Sequence, residues 1–178
     1  EGAPDEVVTH ALVRTVDLAA FGGKGVMALI TLDNGQDHNR PNTFGPASLQ
    51  SLDAAITAAI ASKPSAIGLT GKPFIFAAGA DLSGLSFMSK REESLAIGRL
   101  GHDVFRRLDE CGIPTFGFVN GLALGGGLEV ALHCNYRTLA STALTGLPEV
   151  FLGLVPGWGG ATILPKLIGP ERAVQVIM

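Results

Sequence analysis

Three consecutive glycines constrain this chain more than any other feature. Gly125, Gly126 and Gly127 separate the apolar, strand-like run 115–119 and its Asn120, Gly121 continuation from a stretch of helical character at 128–133. Residues without a Cβ let a ligand approach the main chain. The first amides of a helix lack intrahelical acceptors and carry the positive end of the helix dipole. A strand, a glycine turn and a helix in succession therefore make a place suited to stabilising negative charge. Taken alone, the same glycines also suit a turn that merely packs tightly.

A second turn of small residues changes that balance. Phe76, Ala77, Ala78, Gly79, Ala80, Asp81 and Leu82 follow an apolar run, and a backbone amide at Ala80 is open to a ligand without side-chain obstruction. A plain turn in which Asp81 caps the next helix is compatible with this reading.

Two acids stand near the helix starts. Glu129 falls in the first turn of the glycine-led helix, where the dipole favours a carboxylate and the side chain can reach a ligand at Gly126. A helical Glu is ordinarily solvated, but Leu128, Val130, Ala131 and Leu132 put this one in apolar company. Glu149 follows Pro148 at another helix start, flanked by Leu147 and Val150, and as a bland alternative it is a first-turn dipole residue. Two carboxylates whose environments push their pKa values apart can hold one water and divide proton removal from proton donation. Gly157, Trp158, Gly159 and Gly160 form a last loop able to bring a backbone group against that water, with Trp158 read as packing.

The remaining pattern is a succession of short units. Runs 7–16 and 26–32, joined through Gly22, Gly23 and Gly25, predict an opening hairpin, and the turn formers of 33–46 predict a long surface loop. Leu49, Leu52, Ile56 and Ile60 recur at helical spacing until Pro64. Residues 65–70 read as a strand, after which 71–81 breaks off into small residues. Leu95, Leu100, Val104, Phe105 and Leu108 mark a second amphipathic helix, with Arg91, Glu92, Arg106, Arg107 and Asp109 as its solvated face. Short strands are expected at 136–141 and 143–145, a Gly/Pro-rich loop at 153–160, and a final helix from near Glu171. Alternation of strands and helices predicts an α/β fold, and pattern alone leaves open a doubly wound sheet or a coiled stack of ββα units.

Bulk properties narrow the function. The 178 residues suit a single domain spanning 1–178. A net charge of −3 offers no basic field to recruit nucleic acid or an anionic membrane. Cys111 and Cys134 are too few for a disulfide framework and have no metal-like spacing with His133, so no metal site is expected. The opening Glu1, Gly2, Ala3, Pro4 and Asp5 carry no leader pattern, and no apolar run reaches the roughly 18 residues of a membrane span, which gives the expectation of a soluble, cytoplasmic protein. His10, His38, His102 and His133 have no evident Ser or Cys partner and read as structural histidines.

Together the Gly-Ala-Asp-Leu turn at 79–82, the segment Asn-Gly-Leu-Ala-Leu-Gly-Gly-Gly-Leu-Glu at 120–129 and the segment 147–160 resemble, in order and spacing, the crotonase or enoyl-CoA hydratase/isomerase family. The resemblance runs from about Val26 to the end of the chain and implies a spiral of ββα units. It also implies assembly as trimers or larger, an acyl-CoA thioester as substrate, and no cofactor beyond the CoA that the substrate carries. By the same resemblance Ala80 and Gly126 supply an oxyanion hole, Glu129 and Glu149 are the hydratase carboxylates, and Gly157 lies at the water site. Ala78, Gly79, Asp81, Leu82, Gly125 and Pro148 line the substrate groove.

Two departures stand out. The family's early loop continues from Arg-Pro to an Asn-Ala pair near CoA, whereas Arg40 and Pro41 here lead to Asn42, Thr43, Phe44 and Gly45. The sequence also ends inside a helix, without the C-terminal helices that the resemblance implies over the acyl pocket, so a truncated fragment of a longer chain is expected. Residues 153–169 are similar to the hydratase portion of multifunctional fatty-acid oxidation proteins.

Three other readings compete. Double-bond isomerisation needs one carboxylate and an oxyanion hole, and Glu129 tilts the choice towards hydration. A non-catalytic acyl-CoA-binding or scaffold domain would keep the fold without turnover. Dinucleotide binding fails because the glycines are consecutive and no Gly-x-Gly-x-x-Gly occurs.

Overall fold

The computed structural model describes residues 6–83 and 91–178, so the first five residues, and with them the leader reading, lie outside it. Strands β1 (His10–Asp17) and β2 (Val26–Asp33) form the expected antiparallel hairpin, with His10 opposite Asp33 and Asp17 opposite Val26. Its loop is a 3-10 turn at Leu18–Phe21 that Asp17 caps through a bond from the Ala19 amide.

After helix α1 (Pro46–Ala61) the chain alternates between two sheets. Strands β3 (Ala66–Gly71), β5 (Thr115–Val119) and β7 (Tyr136–Leu139) extend the hairpin in parallel to give the order β1-β2-β3-β5-β7. Strands β4 (Phe74–Ala77), β6 (Gly121–Leu124) and β8 (Thr145–Gly146) build a smaller parallel sheet in the order β4-β6-β8. Each unit thus gives one strand to each sheet. Helices α2 (Arg91–Glu110) and α3 (Gly126–Leu132) make the crossovers that parallel pairing demands. This is the coiled stack of ββα units rather than a doubly wound sheet.

The short inner strands are where periodicity misleads. Residues 71–81 and 120–124 read as turns in the sequence, yet they contain β4, Phe-Ile-Phe-Ala, and β6, Gly-Leu-Ala-Leu. Four residues flanked by turn formers are too few to establish a strand period. After the expected loop 153–160 the chain continues into a helix, α4 (Gly160–Ile168), despite Pro165 within it. The last helix, α5, is Pro170–Ile177.

The core lies between the larger sheet and α1 and α2. Leu49, Leu52 and Ile56 of α1 meet Ile30, Leu32, Ile67 and Leu69 of the sheet and Val104, Phe105 and Leu108 of α2, all buried. Arg107 corrects the expectation of a wholly solvated face on α2: its guanidinium turns to α1, bonding the Asp53 carboxylate, the Asp53 carbonyl at 3.0 Å and Thr57 Oγ1 at 2.9 Å. Arg106 stays exposed beside Asp103 and Glu110.

The long loop before α1 is tied down at both ends. Lys72, buried at the end of β3, points its ammonium at Asn34 Oδ1 and at the carbonyls of Gln36, Asp37 and Arg40. Asn42, fully buried, donates to the carbonyls of Leu32 (2.9 Å) and Phe76 (3.0 Å) and accepts from the Asn34 amide at 3.1 Å. Asn42 therefore joins the two sheets.

Candidate active site

The loop that Asn42 anchors sets the turn after β4. Phe44 pairs with that turn as a parallel bridge: its amide donates to Gly79 O at 2.9 Å and its carbonyl accepts from the Asp81 amide at 3.0 Å. Such a bridge uses the groups on either side of Ala80 and leaves the Ala80 amide facing the opposite way. Asp81 turns back on its own segment, its carboxylate accepting from the Ser83 amide at 2.9 Å.

The glycine triplet sits beside this turn. Gly125 takes φ +52° and ψ −127°, which a residue with a Cβ rarely adopts, and its amide is held by Gly146 O at 2.9 Å. Gly127 brings α3 so close to β4 that a Cβ there would lie 1.9 Å from Ala77 O. As first residue of α3, Gly126 has an amide without an intrahelical acceptor. It is near the second turn, since a Cβ built on Gly79 would lie 3.4 Å from Gly126 N.

Both turns open into one cleft of about 310 Å³. Of the residues singled out from the sequence, Ala78, Gly79, Ala80, Leu82, Gly125, Gly126, Glu129, Pro148, Glu149 and Gly157 line it; Asp81 does not. Residues 84–90, shortly after Leu82 in the chain, lie outside the described residues. Leu124, Leu152, Leu154, Val155 and Trp158 complete the wall. None of these five was singled out as a site residue, because an apolar side chain carries no chemical signature and only the fold reveals that the chain around Glu149 curls over the cleft.

Glu129 is 2% exposed and comes from the first turn of α3. Its Oε1 accepts two amide bonds of 2.8 Å, from Trp158 and from Gly160. Burial pushes its pKa up to about 7; the negative charge of Glu149 adds to the rise, while the Gly160 and Trp158 amides work against it. Glu149 enters from the 3-10 turn Pro148–Leu152. Burial raises its pKa as well, partly offset by its own backbone amide. Its Oε2 is buried with no hydrogen-bond partner among the described residues, and its Oε1 would lie 2.9 Å from a Cβ on Gly125. One carboxylate is thus fixed by amides and the other left with a lone buried oxygen, two environments that let paired acids take different proton roles.

Trp158 does more than pack. Its ring is edge-on to Phe44 and Phe105, while its amide holds Glu129 and its carbonyl meets His133 Nε2 at 2.8 Å. Among the described residues no group of three or more His, Cys, Asp or Glu is placed to hold a metal ion, and no helix is long and apolar enough to cross a membrane.

Comparison with known proteins agrees with this fold. Residues 22–178 match the family model described as enoyl-CoA hydratase/isomerase. The chain is 40% identical over 140 residues to a fatty acid oxidation complex subunit alpha from Pseudomonas aeruginosa, an alignment covering 76% of this chain and 19% of that protein. It is 41% identical over 112 residues to the protein of that name from Shewanella loihica, covering 62% of this chain and 16% of the relative. The chain thus spans about a fifth of the length of the curated relatives it matches. Among solved structures, an enoyl-CoA hydratase from Bacillus anthracis superposes with a TM-score of 0.79 at 29% identity, covering 93% of this chain and 61% of that one. An enoyl-CoA hydratase from Thermoplasma volcanium gives 0.81 at 27% identity, covering 94% and 63%. The fold, the two small-residue turns with their carboxylates, and these matches place the chain in the enoyl-CoA hydratase/isomerase family.

Proposed function

We propose that the chain adds water across the double bond of a trans-2-enoyl-CoA, giving the 3-hydroxyacyl-CoA, as the hydratase part of a longer fatty-acid oxidation protein. The observation that carries this reading is the convergence of Glu129 and Glu149 on the cleft that the Ala80 and Gly126 turns also face. In it the thioester oxygen accepts from the amides of Ala80 and Gly126, which hold the charge of the enolate as it forms. Glu129, anchored through Oε1, takes a proton from a water near Gly157 as the water oxygen bonds to C3. The two acids share one proton, and in the reactive arrangement it sits on Glu149, which gives it to C2. The proton on Glu129 then returns through solvent to Glu149, so one water is consumed and both acids are restored. A pKa near 7 suits a base at neutral pH, and a carboxyl raised by burial suits a proton carrier. The apolar wall of Leu124, Leu152, Leu154 and Val155 suits an acyl chain. The names of the Pseudomonas and Shewanella relatives support the assignment to fatty-acid oxidation, and assembly into a trimer or larger oligomer belongs to the same proposal.

The unpartnered buried Oε2 of Glu149 also favours a second activity, shifting a 3-enoyl-CoA to the 2-enoyl isomer, because one carboxylate that takes and returns a proton is enough. Loss of the enoyl-thioester absorbance of crotonyl-CoA, and its gain from a 3-enoyl-CoA, with Glu129→Gln and Glu149→Gln compared, tests both. Hydration requires both carboxylates, whereas isomerisation survives Glu129→Gln. Undiminished hydration by both variants overturns the assignment, and acyl-CoA binding without turnover in the unaltered protein marks a scaffold.

A further inference from the structure

Helix α3 grips the loop after β8 at two points one turn apart. Glu129 in its first turn accepts from the Trp158 and Gly160 amides, and His133, four residues later at the C-cap, meets the Trp158 carbonyl at 2.8 Å. Residues spaced i and i+4 lie on the same helix face. The peptide units on both sides of Trp158 are therefore clamped, one to the carboxylate and the other to the imidazole. A Cβ on Gly159 would come within 2.7 Å of His133 Nε2, so ring and loop are in close contact.

We propose that His133 is a positioning residue for Glu129: by donating from Nε2 to the Trp158 carbonyl it fixes the loop whose Trp158 and Gly160 amides hold the carboxylate. A carbonyl only accepts, so Nε2 carries hydrogen and Nδ1 is the unprotonated nitrogen of the neutral ring. Burial depresses the His133 pKa and keeps that neutral form through neutral pH. The surrounding groups are arranged to hold the ring. His102 and Phe105 of α2 stand edge-on at centroid distances of 5.7 and 6.1 Å, Arg106 and Asp109 act on it from the same helix, and Asp109, Arg137 and Lys166 line a second cleft that His133 also borders. His133 touches neither the 310 Å³ cleft nor Glu149, so its influence on the chemistry runs through the loop alone.

Removing the donor lets the loop relax, weakens the two amide bonds that oppose the burial of the Glu129 charge, and so raises the Glu129 pKa. The direct test is a carboxyl carbon-13 titration of Glu129 in the unaltered protein, in His133→Gln, which keeps an N–H donor at similar reach, and in His133→Asn and His133→Leu, which do not. The expected result is an upward shift of about 0.5–1 unit in the Asn and Leu variants and restoration by Gln, each unit corresponding to about 1.4 kcal/mol between protonation states. Titration within about 0.2 units of the unaltered protein in Asn or Leu, whichever remains folded, overturns the proposal, as does a shift in Gln equal to that in Asn. The kinetic arm rests on the hydratase reading. There kcat at pH 7 falls several-fold in Asn with KM little changed, and the acidic limb of the rate profile moves to higher pH. If the unaltered protein shows no turnover, the hydratase reading fails while the titration still decides the role of His133.

Discussion

The Cα of Gly126 faces the ring of Trp158: a Cβ built on this glycine would lie 2.5 Å from the indole Cζ3 and 2.6 Å from Cε3. The residue whose amide is assigned to the oxyanion hole is thus supported from below by the residue whose own amide holds Glu129.

Gly126→Ala should consequently strike both. The added methyl meets a rigid ring held by Phe44 and Phe105, so relaxation displaces the turn, the loop or both. Overpacking of this kind costs about 1–3 kcal/mol, and loss of one oxyanion donor lowers turnover by about 10²–10³. Thermal melts and crotonyl-CoA kinetics read the two effects. In contrast, a Cβ on Gly98 in α2 meets nothing within 4 Å, and Gly98→Ala is expected to stabilise the protein by about 0.5–1 kcal/mol with activity kept.

Burial of Glu129 carries a pH signature. Its folded pKa of about 7 exceeds the ordinary value of 4.5, so between these values the unfolded chain binds fewer protons than the native one and stability falls as pH rises. Glu129→Gln, which keeps an oxygen for both amides, removes this loss. It should raise stability at pH 8 by up to about 3 kcal/mol, with little effect at pH 4. A variant equally stabilised at both pH values would show that the gain is packing rather than charge.

The two carboxylates titrate as a pair. The charge of Glu149 helps to raise Glu129. Glu149→Gln should therefore move the Glu129 titration downward, read by carboxyl carbon-13 shifts because turnover is lost in this variant. An unchanged midpoint would mean the acids do not sense one another.

Asn42 makes its own prediction. Truncation to Ala takes the Asn42 donor from the Phe76 carbonyl and the Asn42 acceptor from the part-buried Asn34 amide, while the Leu32 carbonyl keeps the Lys72 amide. A loss of about 1–3 kcal/mol is expected. The Phe44 and Ala80 pairing next to it should loosen as well, visible as faster hydrogen exchange of the Phe44 and Asp81 amides.

Much of this molecule is legible in its sequence where periodicity or unusual chemistry leaves a local trace. The opening hairpin, the apolar stripes of α1 and α2, the glycine triplet and the acids in apolar company all belong to this class, since strand pairing, helix amphipathicity and close backbone approach each select residue types over a few positions. What only the tertiary structure decided depends on distant segments meeting. Strands β4 and β6 are too short to announce themselves, and each pairs with a neighbouring turn of the spiral. Likewise the clamp on Glu129 is made of backbone amides 29 and 31 residues away. A backbone amide is the same group at nearly every residue, so a site built from amides acquires its identity from where the fold aims them.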